Sequence, residues 1–537
     1  MSGHSVARER SRLMSIVTGV EQLLAILVDR ETNIRNVPTI AAPHNIQNAL
    51  ESLPKALPEK GLGTEGPLLL FNMPYSPGSL RAMLVLGAIP AALHGDILAS
   101  VYDQNVQVNL PAETISTTVE HRTLELLLDL LKLPRESFPG RTITTGATAS
   151  NVLGLACGRD FAIRHAIQDP EYSAAEHGLS RADVKVLADR PHASLLKAAS
   201  LVGIGRSNVI DMFDAKAQQI DLTLLEGRLA ACPPGGLQGI IVALSFGEVN
   251  TGESSPNVKK IRELCDRYHA WLHIDAAFGA FARLVPELQD QAAGLELADS
   301  ITSDAHKWLN VPYDSGLFFC RSLELQTSIF GPSPRSAPPP YLTPIGPLGS
   351  QVSPEMESAL LIPSPLNIGI ENSRRFRALP IFCALLSLGR DGYTEMIRRH
   401  VEFARRLGRW MTSGEGSKWF EVLNLSPGVS SISHSEPVVP LNIVLFRARP
   451  GPLCPAIFSH TSSDGLGSSR LVRAINDTRR LYVSPSMNAV RIAVSNWMTG
   501  LPPAHSNSAD KDDFDIVTAA LIDVMTSAAS SSATICA

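Results

Sequence analysis

The chain reads as an α/β protein, with strands and helices alternating around a mainly parallel sheet in a large domain and a smaller domain at the C-terminal end. Three observations predict this. Short apolar or β-branched runs, RTIT (141–144), VKVLA (184–188) and WLHI (271–274), each give way to small, polar or hydroxylated residues, and the first two then lead into an apolar pattern of helical period. The run ending at Asp275 and the segment carrying Lys307 lie about one β-α-β unit apart. A chain of 537 residues, 44% hydrophobic and 18% charged, can bury a large core and is long enough for more than one domain.

Taken in order, residues 1–75 contain one helix, Val17 to Val28, whose VEQLLAILV carries enough apolar surface to need a partner, and then a proline-punctuated linker. The large domain is expected over 76–365 and the small domain over 366–527. The latter should hold a long helical stretch from Arg374 to Met411, strands at PLNIVLFRA and AVRIAVSN, and a helix near DFDIVTAALIDVM. Residues 331–366, crowded with Pro, Gly and Ser, have the texture of a lid. The small, polar end of the chain predicts a disordered tail over 528–537.

Composition excludes several classes of function. A net charge of −5 gives no reason to expect nucleic acid or an anionic membrane as partner. Seven scattered cysteines form no metal-like pair and no disulfide framework, which suits a reducing compartment. The N-terminus MSGHSVARERSRLMS lacks an apolar signal core and no segment approaches membrane-spanning length, so a soluble cytoplasmic protein is expected.

The chemistry concentrates in four segments. In SDAHKWLNVPYD (303–314), Lys307 follows a histidine and sits in a connection between two apolar runs. An amine shielded from water is the better nucleophile toward a carbonyl, although a lysine in a loop is ordinarily a solvated surface residue. WLHIDAAFGAF delivers Asp275 at the C-terminal end of a buried strand, where open α/β sheets bind ligands; an N-cap role fits the same aspartate. RTITTGATASN is strand, turn and helix start, and its free N–H groups with the hydroxyls of Thr148 and Ser150 make a phosphate cradle or a plain cap. VKVLADRPHASLL places His192 at the mouth of a helix, where an imidazole can stack on a ring or simply cap.

Together these segments resemble the group II pyridoxal-phosphate-dependent amino-acid decarboxylases, the aromatic-L-amino-acid and tyrosine decarboxylase family of fold-type I enzymes. The resemblance runs from about residue 70 to about residue 500 and is carried by TGATASN (145–151), HASLLKAA (192–199), HIDAAFGAF (273–281), DAHKWLNVPYD (304–314), SRRFRALP (373–380) and AVRIAVSNW (489–497). It implies a mainly parallel seven-stranded sheet, a smaller C-terminal α+β domain, and a homodimer in which the N-terminal arm crosses the partner. It also implies pyridoxal 5'-phosphate held as a Schiff base on Lys307. His192 would stack on the cofactor ring, Asp275 pair with its nitrogen, and Ala149 and Ser150 offer the phosphate an N–H and a hydroxyl. Ala277 would lie at the ring edge, Asp304 would stand where many relatives have asparagine, and His306 would transfer protons near the substrate. The implied reaction is decarboxylation of an L-amino acid, aromatic by resemblance, to an amine and carbon dioxide.

The chain departs from the family in three places. Glu248 in SFGEVNTGESSP replaces an asparagine usual in one subgroup. After Ser76 and Pro77 the chain reads GSLRAMLVLGAI instead of the family's aromatic-glycine stretch, which is either a remodelled substrate pocket or a local sequence error. IPSPLNIGIEN, just before SRRFRALP, has no tyrosine where the family's proton donor is expected, and Tyr341 is the only tyrosine in the Pro-rich stretch. Two alternatives follow from these departures: an aromatic aldehyde synthase, which couples decarboxylation to oxidative deamination, and a catalytically degenerate family member.

Overall fold

The computed structural model describes residues 43–63, 87–179, 182–333, 353–426 and 437–535, except 452, 463, 479 and 502–511. The helix expected at Val17–Val28 and Tyr341 lie outside these residues, as do residues 78–86 of the departure after Pro77 and most of the Pro-rich stretch.

Seven strands form the main sheet: β1 (Gly140–Thr144), β2 (Asp183–Ala188), β3 (Val209–Asp211), β4 (Gln238–Ser245), β5 (Trp271–Asp275), β6 (Ser300–Asp304) and β7 (Gly316–Cys320). Their spatial order is β1-β7-β6-β5-β4-β2-β3. All neighbours are parallel except β7, which runs antiparallel to both β1 and β6. The strands are buried on both faces, and alternate residues serve opposite cores. Along β4, Ile240, Val242 and Leu244 join one apolar cluster while Ile241 and Ala243 join the other. Four helices matter below: α1 (Ala147–Ile167), α2 (Ala193–Leu201), α3 (Ala378–Thr412) and α4 (Asp513–Ile535).

A second, antiparallel sheet holds β8 (Phe420–Val422), β9 (Ile443–Ala448), β10 (Ser484–Ser486) and β11 (Ala489–Ala493) in the order β8-β9-β11-β10. Phe446, Val490 and Ile492 pack there against Leu407 and Met411 of α3 and Leu521 and Met525 of α4, a separate core.

Two helices differ from the sequence expectation. The stretch expected from Arg374 starts at Ala378 and is broken at Gly389, where φ is +61° and an added Cβ would lie 2.7 Å from the Gly61 nitrogen. Residues 58–59 enter that break, accepting the N–H groups of Arg390 and Asp391 at 3.1 and 3.0 Å. The tail expected to be disordered continues α4 as far as Ile535, because alanine-rich sequence extends a nucleated helix at little cost. Among the described residues no helix is long and apolar enough to cross a membrane.

The SRRFRALP segment acts as a clamp on the site-bearing sheet. Arg374 is buried, pairs with buried Glu120, and donates to Thr142 Oγ1 at 3.0 Å and to the Ile143 carbonyl at 2.8 Å. Burial pushes the Glu120 carboxyl up and the Arg374 charge opposes it.

Candidate active site

A cleft of about 380 Å³ opens at the C-terminal ends of β4, β5 and β6, at the start of α1 and beside the N-cap of α2. This is where an open α/β sheet leaves space for a ligand, and the volume lies in the range of roughly 300–1,000 Å³ usual for small-molecule sites. Thr148, Ala149, His192, Asp275, Ala277, Asp304, His306 and Lys307, eight of the nine residues singled out in the sequence, line it. Ser150 does not.

Ser150 is fully buried one turn into α1, and its hydroxyl shares a 2.7 Å hydrogen bond with Thr144 Oγ1 of β1. Its amide and that of Ala149 both bond to the Gly146 carbonyl. The donors expected from Ala149 and Ser150 are therefore spent within the turn. Thr148, on the cleft wall, makes no hydrogen bond through its amide or hydroxyl among the described residues. It is the better anion donor at this helix start.

Lys307 lies in the one-turn helix Ala305–Trp308 that follows β6. Its ammonium is 3.4 Å from Asp304 Oδ2 and 5.1 Å from the centroid of the Phe278 ring. The side chain retains 24% of its exposure, so the shielding expected from sequence is partial in the single chain. Trp308 Nε1 donates to His400 Nδ1 at 3.0 Å, and His400 Nε2 donates to the Asn496 carbonyl at 2.8 Å. Burial pushes the His400 imidazole down to about 3, consistent with this neutral tautomer. The lysine's helical turn is thus anchored to α3 and to the segment following β11.

Asp304 ends β6 and accepts the Ala147 N–H, the first of α1, at 2.9 Å. Burial pushes its carboxyl up to about 6, while the Lys307 charge and the Ala147 N–H pull it down and Asp275 adds to the rise. The folded state therefore holds more protons at this carboxyl than the unfolded chain between about pH 4 and 6. Its stabilising contribution is present below about pH 4 and is lost as pH rises through about 6. Asp304→Asn should flatten that dependence by about 3 kcal/mol. Denaturant midpoints of wild type and variant at pH 4 and pH 7 check this, and an unchanged pH dependence in the variant would contradict it.

His306 Nδ1 lies 3.4 Å from Asp304 Oδ1, within ion-pair distance but without hydrogen-bond geometry. Burial first, and the Lys307 charge second, push the imidazole down to about 4, so the ring is neutral at pH 7. The Tyr313 ring lies over it at 4.8 Å.

Asp275 ends β5 with both oxygens engaged on its protein side. Oδ2 accepts the Asn151 side-chain amide at 2.9 Å and Oδ1 the Ala277 N–H at 3.2 Å. His192 caps α2, its Nδ1 accepting the Ser194 N–H at 3.2 Å. Glu248 is turned back on its own loop, accepting the Asn250 and Thr251 N–H groups at 3.0 and 2.8 Å. That loop is held from the second sheet by Arg491, which donates to the Val249 carbonyl, and by Asn424, just after β8, which donates to the Thr251 carbonyl. The replacement of asparagine therefore shapes the loop and presents no charge to the cleft. Asn151, Ser194, His273 and Phe278 belong to the site or its support and carried no assigned role in the sequence. Three of them stand in the segments TGATASN and HIDAAFGAF, and Ser194 stands two residues after His192.

An α/β sheet of this order, with a lysine after one strand and an aspartate at the end of its neighbour, defines a fold-type I enzyme of the pyridoxal-phosphate class. Residues 79–434 match the pyridoxal-dependent decarboxylase conserved domain, and the chain belongs to that family of carboxy-lyases acting on amino acids. It is 27% identical over 280 residues to L-2,4-diaminobutyrate decarboxylase of Acinetobacter baumannii, covering 51% of this chain and 52% of that protein. It is 27% identical over 409 residues to tryptophan decarboxylase 1 of Oryza sativa subsp. japonica, covering 73% and 71%. The fold is similar to that of Oryza sativa TDC crystallised with PLP and tryptamine, with a TM-score of 0.64 at 19% identity and 99% of each chain covered.

The residues present fit pyridoxal 5'-phosphate. The cleft offers an amine at Lys307, a carboxylate two-point-anchored at Asp275, an imidazole at His192, and at Thr148 an amide and hydroxyl that make no hydrogen bond among the described residues.

Proposed function

We propose that Lys307 holds the cofactor aldehyde and that the protein decarboxylates an aromatic L-amino acid to its amine and carbon dioxide. The observation that carries this reading is the convergence of Lys307, Asp275 and His192 on one cleft from three separate segments. Bound there, pyridoxal phosphate supplies an electron-withdrawing ring that takes up the electron pair released as the carboxylate leaves. Asp275, anchored by Asn151 and Ala277, would hold the proton on the ring nitrogen. His192 would cover one face of the ring. Thr148 would donate to the phosphate in place of Ser150, and Ala277, with its small side chain, would leave room at the ring edge. His306, neutral at pH 7, would accept or relay a proton beside the substrate.

The aromatic assignment rests on the family resemblance and on the tryptophan decarboxylase relative. The diaminobutyrate decarboxylase relative makes diamino acids the control substrates. A second reading, aldehyde synthesis, is favoured by one feature: residues 362–372, IPSPLNIGIEN, offer no phenolic proton donor. We further infer a cytoplasmic homodimer, on the scattered cysteines and on the family resemblance.

Incubation of the purified protein with aromatic, diamino and acidic L-amino acids should release carbon dioxide from the aromatic ones at least about tenfold faster, with amine in equal yield. Aldehyde and ammonia in place of amine would select the second reading. Preference for a diamino acid would overturn the aromatic assignment.

A further inference from the structure

Beneath the cleft runs a chain of buried polar side chains, and the chemistry of its two ends fixes its direction. Trp271 Nε1 can only donate, and does so to Ser300 Oγ at 2.9 Å. Ser300 then gives its single hydroxyl hydrogen to His273 Nδ1 at 2.8 Å. That ring must carry its proton on Nε2, which donates to Asn151 Oδ1 at 2.9 Å. The two hydrogens of the Asn151 amide go to Asp275 Oδ2 at 2.9 Å and Ser194 Oγ at 3.2 Å. Ser194 Oγ lies 2.8 Å from His192 Nδ1, which already accepts the Ser194 N–H and so accepts the hydroxyl as well. Every donor meets an acceptor.

We propose that Asn151 is a positioning residue that sets the Asp275 carboxylate and the His192 imidazole together for the cofactor ring. The inference rests on the reading of Asp275 and His192 given above. A flipped amide would turn its oxygen onto the Asp275 carboxylate and its hydrogens onto the His273 N–H, so the orientation is determined at both ends. Asn151, His273 and Ser300 are fully buried, which shields the inner bonds of the chain from water. Gly154 belongs to the same arrangement, since a Cβ there would lie 2.4 Å from His273 Cε1. Burial pushes the His273 imidazole down to about 4, in keeping with a ring that holds one proton. With Oδ2 tied to Asn151 and Oδ1 to the Ala277 N–H, the carboxylate cannot rotate about its Cβ–Cγ bond without losing both.

The test is the titration of full-length apoprotein with pyridoxal phosphate between pH 6 and 8.5, read by the visible absorption of the bound cofactor, with circular dichroism as a check on folding. Asn151→Ala should raise the dissociation constant about tenfold at every pH. Asn151→Asp keeps the shape but sets a carboxylate oxygen against Asp275, so the pair must share a proton. Its affinity should fall at least about tenfold at pH 8 and recover toward pH 6. His192, His273, Asp304, His306 and Lys307 surround Asp275 alike in wild type and in both variants, so the difference between variant and wild type reports position 151. Ser194→Ala, which removes only the branch to His192, provides the test if the buried substitutions unfold, with an expected loss of about threefold. Wild-type affinity with wild-type pH dependence in folded Asn151→Asp, or in Ser194→Ala where the other two unfold, would overturn the proposal. A wild type with no absorption band refutes the cofactor reading itself and this inference with it.

Discussion

Lys307→Ala is expected to lose the visible absorption of bound cofactor after dialysis and to turn over substrate at least about 1,000-fold more slowly. The lysine is the one amine on the cleft wall, flanked by Asp304 and Phe278, and no other lysine or arginine lines the cleft among the described residues. Its loss leaves Asp304 without its 3.4 Å counter-charge but disturbs no packed core, since a quarter of the side chain is exposed. The variant should therefore fold, and its thermal melting without cofactor should stay close to that of wild type. Retention of the absorption band would remove Lys307 from its assigned role.

Asp275→Ala is expected to bind pyridoxal phosphate at least about tenfold more weakly and to reduce turnover by about 100-fold or more at saturating cofactor. Removing the carboxylate also strands the Asn151 amide and the Ala277 N–H, which it satisfies at 2.9 and 3.2 Å. Asp275→Asn separates the two effects. It retains an acceptor for these donors but can no longer stabilise a proton on a ring nitrogen. Turnover should stay low in both variants while affinity returns part of the way in the second. Full turnover in either would refute the ring-nitrogen role.

How legible these residues are in sequence depends on how local their surroundings are. Asp275 and His192 sit where a strand ends or a helix begins, and a run such as WLHI followed by small residues marks that boundary without knowledge of the rest of the fold. Ser150 was misplaced because strand-turn-helix texture identifies the turn and not the rotation of α1. Two positions along the helix decide whether a hydroxyl faces the cleft, as at Thr148, or Thr144 behind it, as at Ser150. The link between Asn151 and His273 spans 122 residues, and no periodicity in a single sequence reports such a pairing. The direction of β7 was hidden for a related reason. A strand buried on both faces reads as the same apolar run whether it is parallel or antiparallel. The helical tail was missed because Ala and Ser suit coil and helix alike until a neighbouring turn nucleates them.

The hydrogen bonds from Trp308 through His400 to the Asn496 carbonyl have a consequence for the order in which the molecule is made. Among the described residues every one that lines the cleft lies between 145 and 307, yet the last member of this anchor is about 190 residues beyond the lysine. On the ribosome the cofactor residues therefore emerge well before the group that holds the lysine's turn in place. Competence to retain cofactor should arrive only once residue 496 has emerged, and nascent chains halted before it should release pyridoxal phosphate far faster than the 537-residue chain.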